Sequence, residues 1–457
     1  MNYQEYMSGQ SGRNRKEPMS ENENPEAQPI SPQPEAPQVA GPAEEPVAAV
    51  GQPDNPPPTE PELPEASLPE ASLPEVEAVV MEDLGVDIPD IPMPGDQPTE
   101  KTVEDKFESA FRLAIIGIGQ GGSRIAETFW KLGYRRVGVI NTTEQDLASI
   151  AVPKENKLCI GGKGAGKQPE VAKEIFRTHY EDILDFCRRA FAGGYDRALV
   201  CIGAGGGSGA GGCEVVIDIL HGLSQSLGVE KDPTDAKVGV IVALPTRSEG
   251  VRVQENAENT TQAVVNLQKK GTVSPVVLLD NEKIKQVYPG LAMSKFWTTA
   301  NSSIVSLFHL FNRIACQNSA YTTFDKADFE TVLQSGMITF GAMPISSNKT
   351  SATDISGAVR ENLRQNILAG MDISSGNIAA CVIIGDNHSL DNIPQDNIEQ
   401  AYEQLTRLLG EGSTVHRGIY QGNKAGLVVY TIIGGLTPPE DLFSYFFKSG
   451  SARKYVR

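Results

Sequence analysis

The sequence predicts an α/β protein with a parallel, Rossmann-like sheet covered by helices on both faces. A long central helix and a second, smaller α/β domain with a mixed sheet follow. Three observations predict this. Short apolar runs alternate with helical patterns over residues 113–280, which marks parallel strands joined by crossover helices. Two of those runs end in glycine-rich loops, at 117–123 and 203–212. The net charge of −18 sits entirely in residues 1–100, which hold three basic and 21 acidic residues, while the other residues carry 37 of each.

The acidic segment also holds 20 of the 30 prolines and only two aromatics, Tyr3 and Tyr6, and repeats LPEAS within 63–76. It has too little apolar surface to offset the entropy of ordering, so residues 1–104 are predicted to be a disordered, Pro-rich tail. Proline stiffness and like-charge repulsion extend such a chain. Its basic residues, Arg13, Arg15 and Lys16, cluster with both tyrosines in residues 1–16. That places a candidate recognition peptide for a protein or an anionic surface at the end of a tether; the alternative is an inert solubilising tail. The first residues lack an apolar h-region and no 18-residue apolar run occurs, so neither a signal peptide nor a transmembrane span is expected. The neutral remainder offers no basic excess for direct nucleic-acid binding. Six cysteines at 159, 187, 201, 213, 316 and 381 form no CxxC pair and read as reduced thiols of a cytoplasmic protein. The five histidines (179, 221, 309, 388 and 416) show no metal-ligand spacing.

Strands are predicted at LAIIGI (113–118), RVGVIN (136–141), RALVCIG (197–203), KVGVIVALP (237–245) and PVVLLD (275–280). Each is a short, continuous apolar run, as a strand buried on both faces requires. Helical patterns separate them, including one over 171–191. A first α/β domain is expected over 105–290 and a central helix over 291–317. A C-terminal domain over 318–436 has strands MITFGAMPI, AACVIIGD and AGLVVYTIIGG and helices ISGAVRENLRQNILAG and NIEQAYEQLTRLLG. A short tail, 437–457, carries the aromatic stretch DLFSYFF, expected to pack back on the body.

The first glycine loop, Gly117-Ile118-Gly119-Gln120-Gly121-Gly122-Ser123, passes the GxGxxG test at Gly117, Gly119 and Gly122. A dinucleotide-binding oxidoreductase using NAD is therefore one reading. That reading needs an acid at the end of the second strand, where Asn141-Thr142-Thr143 stands. The second loop, Gly203 to Gly212, has seven glycines in ten residues. Two such loops beside each other fit a polyphosphate held by backbone amides.

GAGGGSGAGG resembles the GGGTGTG signature of the tubulin/FtsZ family, with Ser208 and Ala210 replacing its two threonines. Further segments are similar in family order: Gly117–Ser123 to the first nucleotide loop, with Gln120 matching tubulin's glutamine; Asn141–Gln145 to NTDxQ; Gly164–Val171 to GAGGNPEVG; Ala243–Gly250 to KPFxFEG; and Asp280–Ile284 to PNDKLL. The resemblance covers about residues 105–436. It implies GTP or GDP with Mg2+, held by Gly119, Gln120, Gly121 and Gly122, by Gly164, Ala165 and Gly166, and by Gly205, Gly206, Gly207, Ser208 and Gly209. Glu249 would take the ribose and Asn281 the guanine. The family's nearby arginine falls at Val253, with Arg252 beside it, and Thr143 replaces an aspartate near the magnesium.

Trp297 and Asn301 are four apart on the long helix and share a face. The aromatic can stack on a purine and the amide can bond its edge, and the family carries an aromatic followed four residues later by Asp or Asn on this helix; the alternative is a core tryptophan. Asp325 and Asp328, three apart at a helix start, can orient a water for attack on a γ-phosphate or simply cap the helix. In the family this loop, NxDFxD, completes the nucleotide site of the next subunit. Thr323 replaces its asparagine and Lys326 its phenylalanine. The expectation is a GTPase that polymerises head to tail into protofilaments and hydrolyses GTP at subunit interfaces. The alternative is a GTP-binding filament or regulatory protein with little or no hydrolysis. Cell division, DNA positioning and another cytoskeletal role remain equally open.

Overall fold

The computed structural model describes residues 104–438, apart from 232–234, 346–350, 365–367, 369 and 424. The expectations for the acidic tail, the 1–16 peptide and the DLFSYFF stretch lie outside the described residues.

The first strand, β1 (Leu113–Ile118), is buried along its whole length and leads straight into α1 (Gly119–Leu132). β2 (Val137–Asn141), α2 (Glu144–Ala148) and β3 (Lys157–Cys159) follow. The helix predicted over 171–191 is two helices, α3 (Pro169–Thr178) and α4 (Tyr180–Ala190), divided at His179. His179 leaves helical geometry (φ −99, ψ 25), and its Nδ1 lies 2.8 Å from the Asp182 carboxylate in the first turn of α4. Next come β4 (Arg197–Gly203), α5 (Ser208–Ser226), β5 (Val238–Leu244), α6 (Val251–Lys269), β6 (Val276–Asp280), α7 (Asn281–Val287) and the long α8 (Met293–Ile314). The C-terminal part runs α9 (Lys326–Leu333), β7 (Met337–Ile345), α10 (Ala352–Arg364), β8 (Ile378–Gly385), α11 (Asn387–Asp391), α12 (Gln395–Leu408), β9 (Thr414–Gln421) and β10 (Leu427–Leu436).

All ten strands form one sheet in the order β3-β2-β1-β4-β5-β6-β7-β10-β8-β9. The first six strands are parallel. β10 runs antiparallel to β7 and β8, while β9 is parallel to β8. The expected mixed sheet is thus continuous with the parallel one, through the single pair Val276–Met337. β3 and β9 are edge strands that sequence patterning did not show: KLC is too short, and TVHRGIYQ is polar, as an edge that avoids further pairing must be.

Successive residues of β1 and β4 enter opposite cores. Ala114, Ile116, Val200 and Ile202 pack with α3–α5, and Leu113, Ile115, Leu199 and Cys201 pack with α1 and α8. This is why those strands read as unbroken apolar runs. Asn312, fully buried on α8, accepts from Phe111 N through Oδ1 (2.9 Å) and donates to Phe111 O through Nδ2 (3.0 Å). The pair fastens α8 to the chain entering β1. Four of the six cysteines are buried and all six are free. Among the described residues no helix is long and apolar enough to cross a membrane.

Arg197, at the start of β4, ties the sheet's first half to α9. Its buried guanidinium pairs with Glu330 at 2.7 Å and donates to Ala236 O and Ser274 O. Lys237 reaches the same carboxylate at 2.5 Å. Burial pulls Arg197 below the ordinary arginine range, and the Glu330 and Asp235 carboxylates oppose that shift. Glu330→Ala strands a buried cation, and a loss of about 3–5 kcal/mol is expected. Urea denaturation of that variant against Glu330→Gln, which keeps an acceptor, checks this; equal midpoints for Glu330→Ala and the parent chain would show that the pair carries no stability.

Candidate functional site

Strand order reverses between β1 and β4, because β2 and β3 lie on one side of β1 while β5 and β6 lie beyond β4. Loops leaving the carboxyl ends of such neighbours diverge and open a crevice. A cleft of ≈ 410 Å³ lies there. α1 begins at Gly119 and α5 at Ser208, both lining the cleft, and neither helix has an acidic residue in its first turn. Two sets of unpaired amides and two positive dipole ends therefore converge on one space. Gly119 makes this possible: its φ is +69, and a Cβ there would stand 3.0 Å from Gly209 N.

Gly119, Gln120 and Gly121, Gly164, Ala165 and Gly166, Gly205 to Gly209, Glu249, Asn281, Trp297 and Asn301 all line this one cleft. Gly122 does not. A Cβ on Gly122 would lie 1.9 Å from Cys201 O, so this glycine seats α1 against β4. Gly211 likewise packs on Pro169 O of α3, leaving Gly203–Gly209 as the cleft-facing part of the second loop.

The end of β2 carries no acid. Thr142 Oγ1 instead shares a hydrogen bond of 2.8 Å with Ser208 Oγ, joining β2 to the second glycine loop. The Asn141 amide donates to Asp146 Oδ2 at 3.1 Å. Asp146, in the first turn of α2, lines the cleft; the sequence comparison ended at Gln145 and missed it. Arg124 was also missed. It lies on the second turn of α1, with its guanidinium 5.6 Å from the Trp297 ring centre. Trp297 is 38% exposed, which removes the reading of it as a core residue. Val253, where the family pattern has arginine, is buried against Gly205, and Arg252 is exposed and is not among the residues lining the cleft.

Two buried polar atoms in the cleft wall, Thr143 Oγ1 and Asn281 Oδ1, have no hydrogen-bond partner within the protein. Buried orphans of this kind cost free energy unless something else meets them. Asp280 fixes Asn281 by capping α7, accepting from Glu282 N (2.9 Å) and Lys283 N (3.4 Å). Burial raises its carboxyl above the usual range, against the pull of those amides. Glu249 accepts from Thr246 N at 3.0 Å and closes the 246–249 turn.

Asp325 and Asp328 lie outside the cleft. They form a reciprocal capping box at the start of α9, and Asp325 lines a separate surface hollow with Thr323 and Lys326. Lys326 Nζ sits 4.7 Å from the centre of the Phe111 ring. Asp328 Oδ1 also pairs with His416 Nδ1 of β9 at 2.7 Å. No sequence spacing connects these two residues; only the α9–β9 packing does.

Fold and cleft define a parallel α/β protein with paired glycine loops at the strand-order reversal. Residues 112–289 match the model of the Tubulin/FtsZ family, GTPase domain. The tubulin-like protein TubZ of Bacillus cereus is 25% identical over 270 residues, 54% of this chain and 58% of its own length. The tubulin-like protein CetZ of Pyrococcus furiosus is 26% identical over 364 residues, 76% of this chain and 90% of its own. The GTPγS-form protofilament of Bacillus thuringiensis serovar israelensis TubZ superimposes with a TM-score of 0.66 at 18% identity, covering 76% of this chain and 94% of that one. Residues 112–289 are thus similar to the tubulin/FtsZ GTPase domain, and the likeness of fold to the TubZ protofilament extends over most of the described chain.

The two kinds of glycine should separate by stability. Gly122→Ala, which overpacks α1 on β4, is expected to cost about 1–3 kcal/mol. Gly206→Ala, whose Cβ would meet only Gly203 O at 3.7 Å, should leave the denaturation midpoint nearly unchanged. Equal losses would overturn the distinction.

Proposed function

We propose that the cleft binds GTP or GDP and that the chain assembles head to tail into cytoplasmic protofilaments, hydrolysing GTP where subunits meet. The observation supporting this is the convergence of two helix N-termini on a cleft whose wall holds the orphaned Asn281 Oδ1 and Thr143 Oγ1. In this proposal the amides of Gly119–Gly121 and Gly205–Gly209 hold the phosphates and Ser208 adds a hydroxyl. Trp297 stacks on the guanine, Asn281 and Asn301 read its edge, and Glu249 accepts from the ribose. Mg2+ would enter with the phosphates, which supply most of its ligands, and Asp146, which lines the cleft, would offer it a carboxylate. Bound there, the ion would neutralise charge on the phosphates.

Asp325 and Asp328 lie outside their own cleft, so they would act on the nucleotide of the next subunit, orienting the attacking water. His416 is the positioning residue for Asp328. A second reading, assembly with little hydrolysis, is favoured by the same cluster, since both carboxylates are already engaged in the cap and the ion pair. Residues 1–16, outside the described residues, are proposed as a recognition peptide on an acidic tether.

Gly206→Asp puts a carboxylate among the phosphates and should abolish nucleotide binding without unfolding the chain. Asp328→Asn should keep binding and lose roughly 10²-fold in turnover. A mixture of the two should hydrolyse GTP faster than either alone, because one supplies the nucleotide and the other the acid. Unchanged turnover in Asp328→Asn would reduce the pair to a helix cap. Sedimentation with GTP, with GDP and without nucleotide tests assembly; an equal pellet in all three would overturn nucleotide-dependent polymerisation.

A further inference from the structure

We propose that Lys167 is the cation by which the cleft distinguishes a nucleoside triphosphate from a diphosphate, and that Asn256 is the positioning residue that sets it. The inference rests on the nucleotide reading above and deepens it.

Lys167 stands where the family pattern has glycine, in GAGKQPEV. Among the described residues it alone, apart from glycines, has positive φ, at 58. That conformation is sparsely populated for residues with side chains and persists where the surroundings impose it. Asn256, buried on α6, supplies the constraint. Its Nδ2 donates to Lys167 O at 3.1 Å and to Gly205 O at 3.2 Å. One amide thus fastens two neighbouring loops of the cleft wall to each other. The turn is closed by Gln168 N donating to Ala165 O at 2.8 Å, and Gly164 N donates to Thr142 O at 2.9 Å.

The result sets Lys167 against the start of α5: a Cβ on Gly207 would lie 3.2 Å from Lys167 Cα. Among the described residues lining the cleft, two carry cationic side chains, Arg124 and Lys167. Arg124 lies over the Trp297 ring. The two cleft carboxylates are engaged elsewhere, Asp146 by Asn141 and Glu249 by Thr246. Among the described residues Lys167 has neither an ion pair nor a side-chain hydrogen bond. On a backbone held against that helix N-terminus, the unpaired Lys167 ammonium would add a charge that the helix ends and backbone amides do not supply. Its attraction scales with the charge of the anion next to it. A triphosphate brings more charge than a diphosphate, so the difference between the two affinities is where Lys167 acts.

Equilibrium binding of GTPγS and GDP to the full chain tests this. Lys167→Gly removes the charge while accepting the left-handed backbone without strain, and Lys167→Gln keeps the length. Both should lose about tenfold or more for GTPγS, the scale of one charge-assisted hydrogen bond, and roughly threefold or less for GDP. Lys167→Arg should retain the preference. Asn256→Ala should lower the ratio of the two affinities; a merely structural role would lower the melting temperature and leave the ratio unchanged. Parent-like binding of both nucleotides by Lys167→Gly, or equal loss of both, would overturn the proposal. A parent chain that binds neither nucleotide overturns the nucleotide reading itself, before any variant is compared.

Discussion

Two helices that begin beside each other, with Gly119 of one against Ser208 and Gly209 of the other, set the constraint that organises this molecule. α1 and α5 start at the carboxyl ends of neighbouring strands, and Gly119 lies against Gly209. Aligned N-termini repel through their positive ends and expose amides that no neighbouring backbone can satisfy. A fold that places them together stores that unfavourable arrangement, and an anion relieves it. The strand-order reversal at β1 and β4 opens the space in which this can occur. The rest of the cleft wall follows from it: the β2 end is drawn in by the Thr142–Ser208 hydrogen bond, and the 164–167 loop by Asn256.

The second organising element is the junction between the two parts of the sheet. One strand pair, Val276–Met337, joins β6 to β7, and so slender a join needs support. Arg197, Lys237 and Glu330 provide it beneath α9, with Ser274 donating to Leu333 O and accepting from Gly336 N. α9 is also the helix whose first turn carries Asp325 and Asp328. The elements that hold the acidic pair are therefore the ones that connect the sheet, and Asp328 is further held by His416 from the edge strand β9. In a head-to-tail assembly this would couple the acids' placement to the integrity of the same junction.

Legibility of the chain varied with the range of the interactions involved. The apolar runs of β1, β4, β5 and β6 announced parallel strands, because burial on both faces demands apolar residues at every position. The glycine loops announced close backbone approach, because side chains are excluded there by sterics alone. Trp297 and Asn301 share a helix face by spacing, and both line the cleft. Gly122 looked the same as its neighbours in sequence, yet it serves packing on Cys201 O. β3 and β9 were missed because edge strands are short or polar, and the break at His179 because a single residue's dihedral angles decided it.

The sequence by itself determined the layered α/β architecture, the two glycine loops and the helix face that Trp297 and Asn301 share. Those properties are carried by local composition, periodicity and sterics. Only the tertiary structure decided that Asp146 and Arg124 line the cleft, that Asp328 pairs with His416, and that Asn256 holds Lys167 left-handed beside Gly207. Each of these depends on chain segments tens of residues apart meeting at a few ångströms. Such meetings are set by how helices seat on the sheet, which no residue spacing encodes.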